Sequence, residues 1–285
     1  MLLGLAFGSF LNVCISRLPR HESIVRPRSR CPRCGALIRA LDNVPILSWI
    51  LLRARCRHCR QPIAWRYPAV ECATAALFLL CCLRFGLTVR GIGMAVLCFL
   101  LLGLAVMDAE TMRLPDAFTW PGIALGVLYS GASLAYLNDA PGAWARAFPG
   151  GGGVVLSKHL PRAIALLIAG CLASLLWAFL AALFLLLVRW LFYLIRRKEG
   201  LGMGDVKLMA MIAAWLGPAP ALLTLLLACL AAAVYGLLAV ALSRGRRPFF
   251  STRLPLGSFL CAAAIYVIFA GDPILTWYLR FYGFG

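Results

Sequence analysis

The sequence predicts an all-α polytopic membrane protein with about eight transmembrane helices and a small cytoplasmic four-cysteine, zinc-ribbon-like domain. Its 285 residues are 63% hydrophobic and only 13% charged, whereas a soluble domain carries about 25% charged residues. Several apolar stretches reach the roughly 20 residues that cross a bilayer. A basic segment near the N-terminus contains two Cys-x-x-Cys pairs.

The excess of basic residues is explained by membrane topology. The formal net charge is +18, which in a soluble protein would suggest a nucleic-acid partner. Here the basic residues gather in particular loops, as they do in the cytoplasmic loops of membrane proteins. Membrane lipids are therefore the expected partners and no nucleic acid is expected. A membrane-tethered nucleic-acid binder that uses the basic segment stays open as an alternative.

The chain begins with a predicted transmembrane segment, residues 1–16, followed by a basic cytoplasmic domain, residues 17–66. No basic region precedes the first apolar run and no small-residue cleavage site follows it, so a signal peptide is not favoured. The arginines after the run place residues 17–66 in the cytoplasm. Within this domain, residues 38–52 are too short and too polar to span a membrane, and we expect them to lie on its surface.

Four cysteines of the basic domain predict a structural zinc site. Cys31 and Cys34 form one pair, and Cys56 and Cys59 form a second pair about 20 residues later, which is the spacing of a four-cysteine zinc ribbon. Four thiolates complete a tetrahedral shell and leave no position for a substrate, so the metal is expected to be structural. The other eight of the 12 cysteines lie mostly in apolar runs, where a free thiol acts as a small hydrophobe.

The remaining residues, 67–285, are predicted to form a transmembrane domain. Apolarity marks spans at about 67–83, 91–107, 117–137, 163–195, 205–217, 218–242 and 256–271. The basic residues within 196–198 and 244–253 are expected inside, and the loop 138–162 outside. This pattern places the ends of two spans, at Asp108 and Asp205, on the same cytoplasmic side.

Asp108 and Asp205 are the candidate catalytic residues. A carboxylate close to a hydrocarbon phase is unfavourable, so an acid there is a functional hypothesis by default. Asp108 ends an apolar span, where the helix dipole favours a cation instead. Two neighbouring carboxylates share a proton, so one acts as a base and the other as an acid. That is the chemistry of aspartic proteolysis.

The residues around Asp205 are candidates for active-site support. Gly202 and Gly204 have no β-carbon, so the backbone can turn sharply and approach a peptide closely. Asp205 would then enter the first turn of a helix, where an acid is also a common cap, and Gly-x-Gly-Asp alone is weak evidence of catalysis. Lys207 either tunes the acid or anchors the helix at the interface, and the anchor is favoured.

A different class of function stays open. The sequence lacks the Gly-x-Ser-x-Gly and His-Glu-x-x-His motifs, so serine and zinc proteolysis are unsupported. A transporter or channel would use Asp108 and Asp205 to relay protons or to bind cations. Such a protein is expected to show inverted repeats with acids near the membrane midplane, whereas no convincing repeat is visible and these two acids lie near the edge.

Taken together, these residues resemble the type IV prepilin leader peptidase family. The resemblance covers nearly the whole chain. Besides the two cysteine pairs it includes Gly-Ser-Phe-Leu-Asn-Val at 8–13, Arg-Leu-Pro at 17–19, Arg-Tyr-Pro with Val-Glu within 66–71, Asp108 with Leu-Pro-Asp at 114–116, and Gly-Met-Gly-Asp-Val-Lys at 202–207.

The resemblance implies an activity, partners and cofactors. Family members are GxGD-type aspartic endopeptidases of the bacterial inner membrane. They remove the short basic leader from type IV prepilins and type II secretion pseudopilins on the cytoplasmic side, and many then methylate the new N-terminus with S-adenosylmethionine. The catalytic pair of the family matches Asp108 and Asp205. The cysteine-bearing domain of bifunctional members matches residues 31–59, although the chain has no glycine-rich nucleotide loop.

Overall fold

The computed structural model describes residues 1–26, 28–136, 162–198, 200–242 and 255–281. Helices account for 79% of the structure, and among the described residues there are two isolated β-bridges but no β-strand. The prediction of an all-α fold is therefore confirmed. The chain forms two compact units, Met1–Met107 and Asp108–Gly285. Most of the predicted outside loop at 138–162, and the basic segment 244–253, lie outside the described residues.

The predicted transmembrane segments all form helices. In the described part of the chain the helices are α1 Leu2–Arg17, α2 Leu47–Leu51, α3 Arg66–Phe85, α4 Val89–Thr111, α5 Asp116–Tyr136, α6 Arg162–Arg196, α7 Met203–Leu216, α8 Pro218–Leu242 and α9 Leu256–Phe281. Six of these, α1, α3, α4, α6, α8 and α9, are long and apolar enough to cross a membrane. The protein is thus a multi-pass membrane protein, but the predicted count of eight spans is not confirmed.

Two of the eight predicted spans, α5 and α7, are not among these six, and the length of α7 explains its own omission. It has 14 residues, which at 1.5 Å per residue is about 21 Å, and the hydrocarbon core of a bilayer is about 30 Å thick. The break after α7 was predicted correctly. Gly217 ends α7 with a φ of 81°, a left-handed conformation that glycine adopts without strain. Pro218 begins α8, where its missing N–H is not needed.

In the first unit, α1 and α3 approach each other very closely. A β-carbon added to Gly4 would lie 2.6 Å from Cα of Ala75, and one added to Gly8 would lie 2.7 Å from Cα of Glu71. Two glycines four residues apart therefore let the two backbones touch, as small residues do in pairs of membrane helices.

The segment 38–52 also belongs to the first unit. It forms a 3₁₀ turn, Ala40–Asn43, and the short helix α2. The backbone N–H of Ile46, just before α2, donates a hydrogen bond of 2.8 Å to Oε2 of the buried Glu71 on α3. This bond attaches the segment to a long helix. Its predicted location at the membrane surface stays a prediction.

In the second unit, α7 is the central buried helix. It packs against α5, α6, α8 and α9, and its residues 208–216 are all buried. The carbonyl oxygen of Ala214 accepts hydrogen bonds from the hydroxyl groups of Ser130 on α5 and Ser174 on α6, at 3.1 and 2.8 Å. Nε1 of Trp215 donates to the carbonyl oxygen of Gly122 at 2.8 Å. These bonds fix the C-terminal end of α7 against α5 and α6.

Candidate active site

Asp108 lies in the last turn of α4 and is held by the first turn of α9. Only 5% of the residue is exposed. Its Oδ2 accepts one hydrogen bond from the backbone N–H of Ser258 at 2.7 Å and another from Oγ of Ser258 at 3.1 Å. The C-terminal end of α4 disfavours a carboxylate, whereas the N-terminal end of α9 favours one. The start of α9 therefore offsets the unfavourable position that the sequence predicted for Asp108.

Asp205 lies in the first turn of α7, as the sequence predicted. The side chain is partly buried. The backbone N–H of Gly202, at the N-cap, donates a hydrogen bond back to its carboxylate, which is one half of a capping box. The carboxylate also lies within electrostatic range of Asp108. The structure therefore brings together the two acids that are 97 positions apart in the sequence (205 − 108).

Leu114 contacts both the helix turn that carries Asp205 and the helix turn that binds Asp108. A β-carbon added to Gly204 of α7 would be 3.0 Å from Cβ of Leu114. One added to Gly257 of α9 would be 3.0 Å from Cδ1 of Leu114 and 2.9 Å from Oδ2 of Asp108. Leu114 thus contacts the start of both helices. Asp108 and Asp205 are here called the carboxylate pair.

The two glycines before Asp205 differ in what the structure requires of them. Gly202 has φ −72° and ψ 146°, a conformation that any residue adopts. The sharp turn expected from glycine is therefore not required at that position. At Gly204 the requirement is space, because any side chain would press on Leu114.

The contacts of Lys207 favour an anchoring role. Its Nζ donates to Oδ1 of Asp116 at 2.6 Å and lies 5.9 Å from the centre of the Trp120 ring. Asp116 is the first residue of α5, so this ion pair links the starts of α5 and α7. The charge of Lys207 is thus engaged with Asp116.

Sequence reasoning assigned no role to Gly257 and Ser258. They follow Pro255 at the start of an apolar run, and a serine there is an ordinary sign of a helix N-terminus. That signal locates the first turn of α9, but it does not reveal that Asp108, 150 residues earlier, is the acid that the turn binds.

In the first unit, the four predicted metal ligands come together. The Sγ atoms of Cys31, Cys34, Cys56 and Cys59 all lie within 4.8 Å of one another, and those of Cys31 and Cys59 are 3.9 Å apart. A tetrahedral zinc site with Zn–S bonds of about 2.3 Å has sulfur atoms about 3.8 Å apart. The cluster therefore has the donor type of a zinc site and one sulfur–sulfur distance close to that of its tetrahedral shell.

The two cysteine pairs form two similar hairpins. In each, the N–H of the first cysteine donates to the carbonyl oxygen five residues later at 2.9 Å. In each, the residue after the second cysteine is left-handed, with φ 71° at Gly35 and 58° at Arg60. The backbone N–H groups of Cys59 and His58 donate to the thiol of Cys56 and lower its pKa to about 7. A lowered pKa favours the thiolate, which is the form that binds metals.

The fold and the carboxylate pair define a class of protein, a multi-pass helical membrane protein with two acids at neighbouring helix ends. Comparison with known families narrows this class. The family model of the bacterial peptidase A24 N-terminal domain matches residues 2–85, and that of the type IV leader peptidase family matches residues 153–237.

Individual relatives agree with these matches over most of the chain. Proteins named prepilin leader peptidase/N-methyltransferase are similar in Burkholderia pseudomallei (34% identical, 96% of this chain and 85% of the relative), in Pseudomonas putida (34%, 99% and 93%) and in Pseudomonas aeruginosa (34%, 100% and 93%). The chain belongs to the type IV leader peptidase family. No solved structure matches it. These findings do not favour the alternative of a transporter or channel.

Proposed function

We propose that the chain cleaves the basic leader peptides of type IV prepilins and type II secretion pseudopilins at the cytoplasmic face of the bacterial inner membrane, and then methylates the new N-terminal residue. The names of the relatives support both activities. The observation that carries the hydrolytic activity is the carboxylate pair, in which a buried Asp108 and a partly buried Asp205 lie within electrostatic range of each other.

In the proposed mechanism the carboxylate pair holds one proton. The ionised member removes a proton from a water molecule, whose oxygen attacks the scissile carbonyl carbon. The protonated member donates a hydrogen bond to the carbonyl oxygen, and a carboxyl group then protonates the leaving amine as the carbon–nitrogen bond breaks. Because Asp108 is bonded to the first turn of α9 and Asp205 lies in the first turn of α7, and α7 and α9 pack in the same unit, the pair is held in place before the substrate binds.

The peptide is proposed to approach from the start of α7. Gly202 and Met203 are exposed there, whereas Asp108 is buried. The absence of a side chain at the exposed Gly202 leaves the backbone of this turn open to an extended peptide, and its absence at Gly204 makes room for Leu114. Gly202, Gly204 and Lys207 are therefore proposed to support the site, the last by fixing α7 to α5.

The proposed structural metal is zinc, held by Cys31, Cys34, Cys56 and Cys59. Four thiolates around a zinc ion link the two hairpins covalently through the metal and stabilise the fold of a small domain. The four thiolates then occupy all four coordination positions of the zinc ion, which leaves none for substrate or water, so the ion takes no part in the hydrolysis.

The proposed methyl donor is S-adenosylmethionine, on the strength of the methyltransferase name of the relatives. One cavity in the first unit, of about 230 Å³, is lined by Arg28, Ser29, Ile38 and Asn43. None of these residues is acidic, so the cavity offers no carboxylate to a sulfonium cation. These four residues do not fit the cofactor, and we derive no step through it.

The proposal is tested by incubating the purified full-length protein with a prepilin and measuring the product by mass spectrometry, which reports leader loss and methylation separately. Asp108→Asn and Asp205→Asn are each expected to abolish leader loss. Asp272→Asn, on α9, is the matched control and should cleave normally. Both inactive variants should still methylate a pilin supplied without its leader. Full cleavage by either of them would refute the assignment.

A further inference from the structure

We propose that the first turn of α9 is a positioning element of the peptidase site, in which Gly257 makes room for the Asp108 carboxylate and Ser258 orients it. The proposal rests on the function proposed above. It adds a third helix to the two that carry the acids.

The hydrogen bonds of Ser258 act on one oxygen of Asp108. The backbone N–H and the hydroxyl both bond to Oδ2, at 2.7 and 3.1 Å, and the dipole of α9 is positive at the same point. A carboxylate oxygen that already accepts two hydrogen bonds does not carry the proton itself, because it serves as the acceptor. The proton of the pair is therefore directed away from Oδ2, to Oδ1 or to Asp205. In this way Ser258 orients Asp108 toward its reacting partners without touching the substrate.

Gly257 fits against the same carboxylate. A β-carbon there would lie 2.9 Å from Oδ2 and 3.0 Å from Cγ of Asp108, and 3.0 Å from Cδ1 of Leu114. Carbon atoms do not approach buried neighbours this closely without a shift, because protein interiors are tightly packed. Any side chain at this position would displace either Asp108 or Leu114, so the position of the acid depends on a glycine at 257.

This turn lies outside both matched family stretches, which end at residues 85 and 237. A role limited to structure is the competing explanation, since a carboxylate at a helix N-terminus also stabilises that helix. If Asp108 served only to cap α9, loss of the Ser258 hydroxyl would reduce the amount of folded protein. The kcat of the remaining folded protein would not fall for leader cleavage alone.

The experiment compares Ser258→Ala, Ser258→Thr and Gly257→Ala in the full-length protein. Ser174→Ala is the matched control for a buried serine hydroxyl, because Ala214 keeps the bond from Ser130. Gly271→Ala is the control for the glycine, since a β-carbon at this position of α9 would lie 2.8 Å from a side-chain atom, Cγ1 of Val267. The kcat and KM of leader cleavage are measured together with methylation of a pilin supplied without its leader.

We expect Ser258→Ala to lower the kcat of cleavage roughly tenfold, which is typical of losing a hydrogen bond to a charged group. KM and methylation should not change. Ser258→Thr keeps the hydroxyl and should restore most of the rate, Gly257→Ala should lose more than Ser258→Ala, and both controls should cleave normally. If Gly257→Ala does not fold, the two Ser258 variants decide the question.

Two results would overturn the inference. One is a wild-type kcat for Ser258→Ala. The other is a loss shared equally by cleavage and methylation and not restored by threonine, which is the result of a structural role. Asp108→Asn in the same assay separates this failure from failure of the proposed function. If Asp108→Asn cleaves normally, the proposed function is wrong; if it is inactive while the Ser258 variants are fully active, only the inference is wrong.

Discussion

Leu114 packs directly on the backbone of Gly204: a β-carbon at residue 204 would lie 3.0 Å from Cβ and 3.1 Å from Cδ1 of Leu114. Leu114 follows the end of α4, where Met112 takes a left-handed φ of 51° and its N–H bonds to the carbonyl oxygen of Asp108 at 2.8 Å. The segment that ends one acid's helix thus packs on the turn that carries the other acid. The geometry of the carboxylate pair is therefore sensitive to side-chain volume at residues 114 and 204.

Gly204→Ala is expected to lower leader cleavage roughly tenfold, because overpacking a tight contact usually costs about 1–3 kcal/mol. Adding Leu114→Ala should restore much of the rate, since it removes the atoms that the new methyl group meets. Gly202→Ala should lose less, because its β-carbon would have Oδ2 of Asp205 as its nearest neighbour at 3.3 Å. Cleavage rates of the three variants test this, and a double variant no faster than Gly204→Ala alone would contradict it.

Lys207→Met and Asp116→Asn are expected to have similar, small effects. The side chains are 26% and 61% exposed, and such an ion pair contributes at most about 1 kcal/mol. The double variant should be no less stable than either single variant, because the two residues act through one contact. Thermal unfolding in detergent measures this. If Lys207→Met abolished cleavage while Asp116→Asn did not, Lys207 would act on the reaction rather than as an anchor.

The pure protein is expected to contain roughly one zinc ion per chain, and Cys31→Ser or Cys56→Ser should remove it. Cys72→Ser, which changes an exposed cysteine on α3 outside the cluster, should retain the metal. Elemental analysis of the purified variants tests this. Zinc-free wild-type protein, or full zinc content in the two cluster variants, would contradict the assignment.

The ion pair of Asp42 and Arg57 is expected to help hold the second hairpin at neutral pH. Arg57 donates hydrogen bonds of 2.9 and 2.6 Å to Asp42 and lowers the pKa of that carboxyl. A lowered pKa means that the contribution is present above the usual pKa of an aspartate, about 3.9, and is lost only as the pH falls through the lower folded-state value.

Asp42→Asn should therefore speed zinc release to a chelator by the same factor at pH 8 and at pH 6, both of which lie above the pKa of Asp42. Asp272→Asn, on α9, is the control. A difference between wild type and Asp42→Asn that disappears by pH 6 would show that a different group is responsible.

The helices and the cysteine cluster could be predicted because their signals are local. An apolar run determines a membrane helix, and two Cys-x-x-Cys pairs determine a cluster, without knowledge of how distant parts pack. The first turn of α7 at Asp205 was predictable for the same reason. The end of α9 was not, because the apolar run continues beyond Pro273 and the helix continues through it.

The contacts of the site could not be predicted because they join distant residues. Ser258 bonds to Asp108, which lies 150 positions earlier in the sequence, and no pattern in either segment predicts this contact. Gly204 was identified, but its requirement for space became visible only once Leu114 was placed beside it. The predicted number of spans is not confirmed for a related reason: other helices bury the apolar surface of α7, and composition alone does not distinguish such burial from burial in lipid.

The most direct test is single-turnover leader cleavage by Asp108→Asn, Asp205→Asn and the double variant. If the two acids share one proton and act as a unit, each single variant loses nearly all activity and the double variant is no slower than the worse single variant. A loss in the double variant equal to the product of two separate partial losses would show that the acids act independently. Normal cleavage by either single variant would contradict the paired mechanism outright.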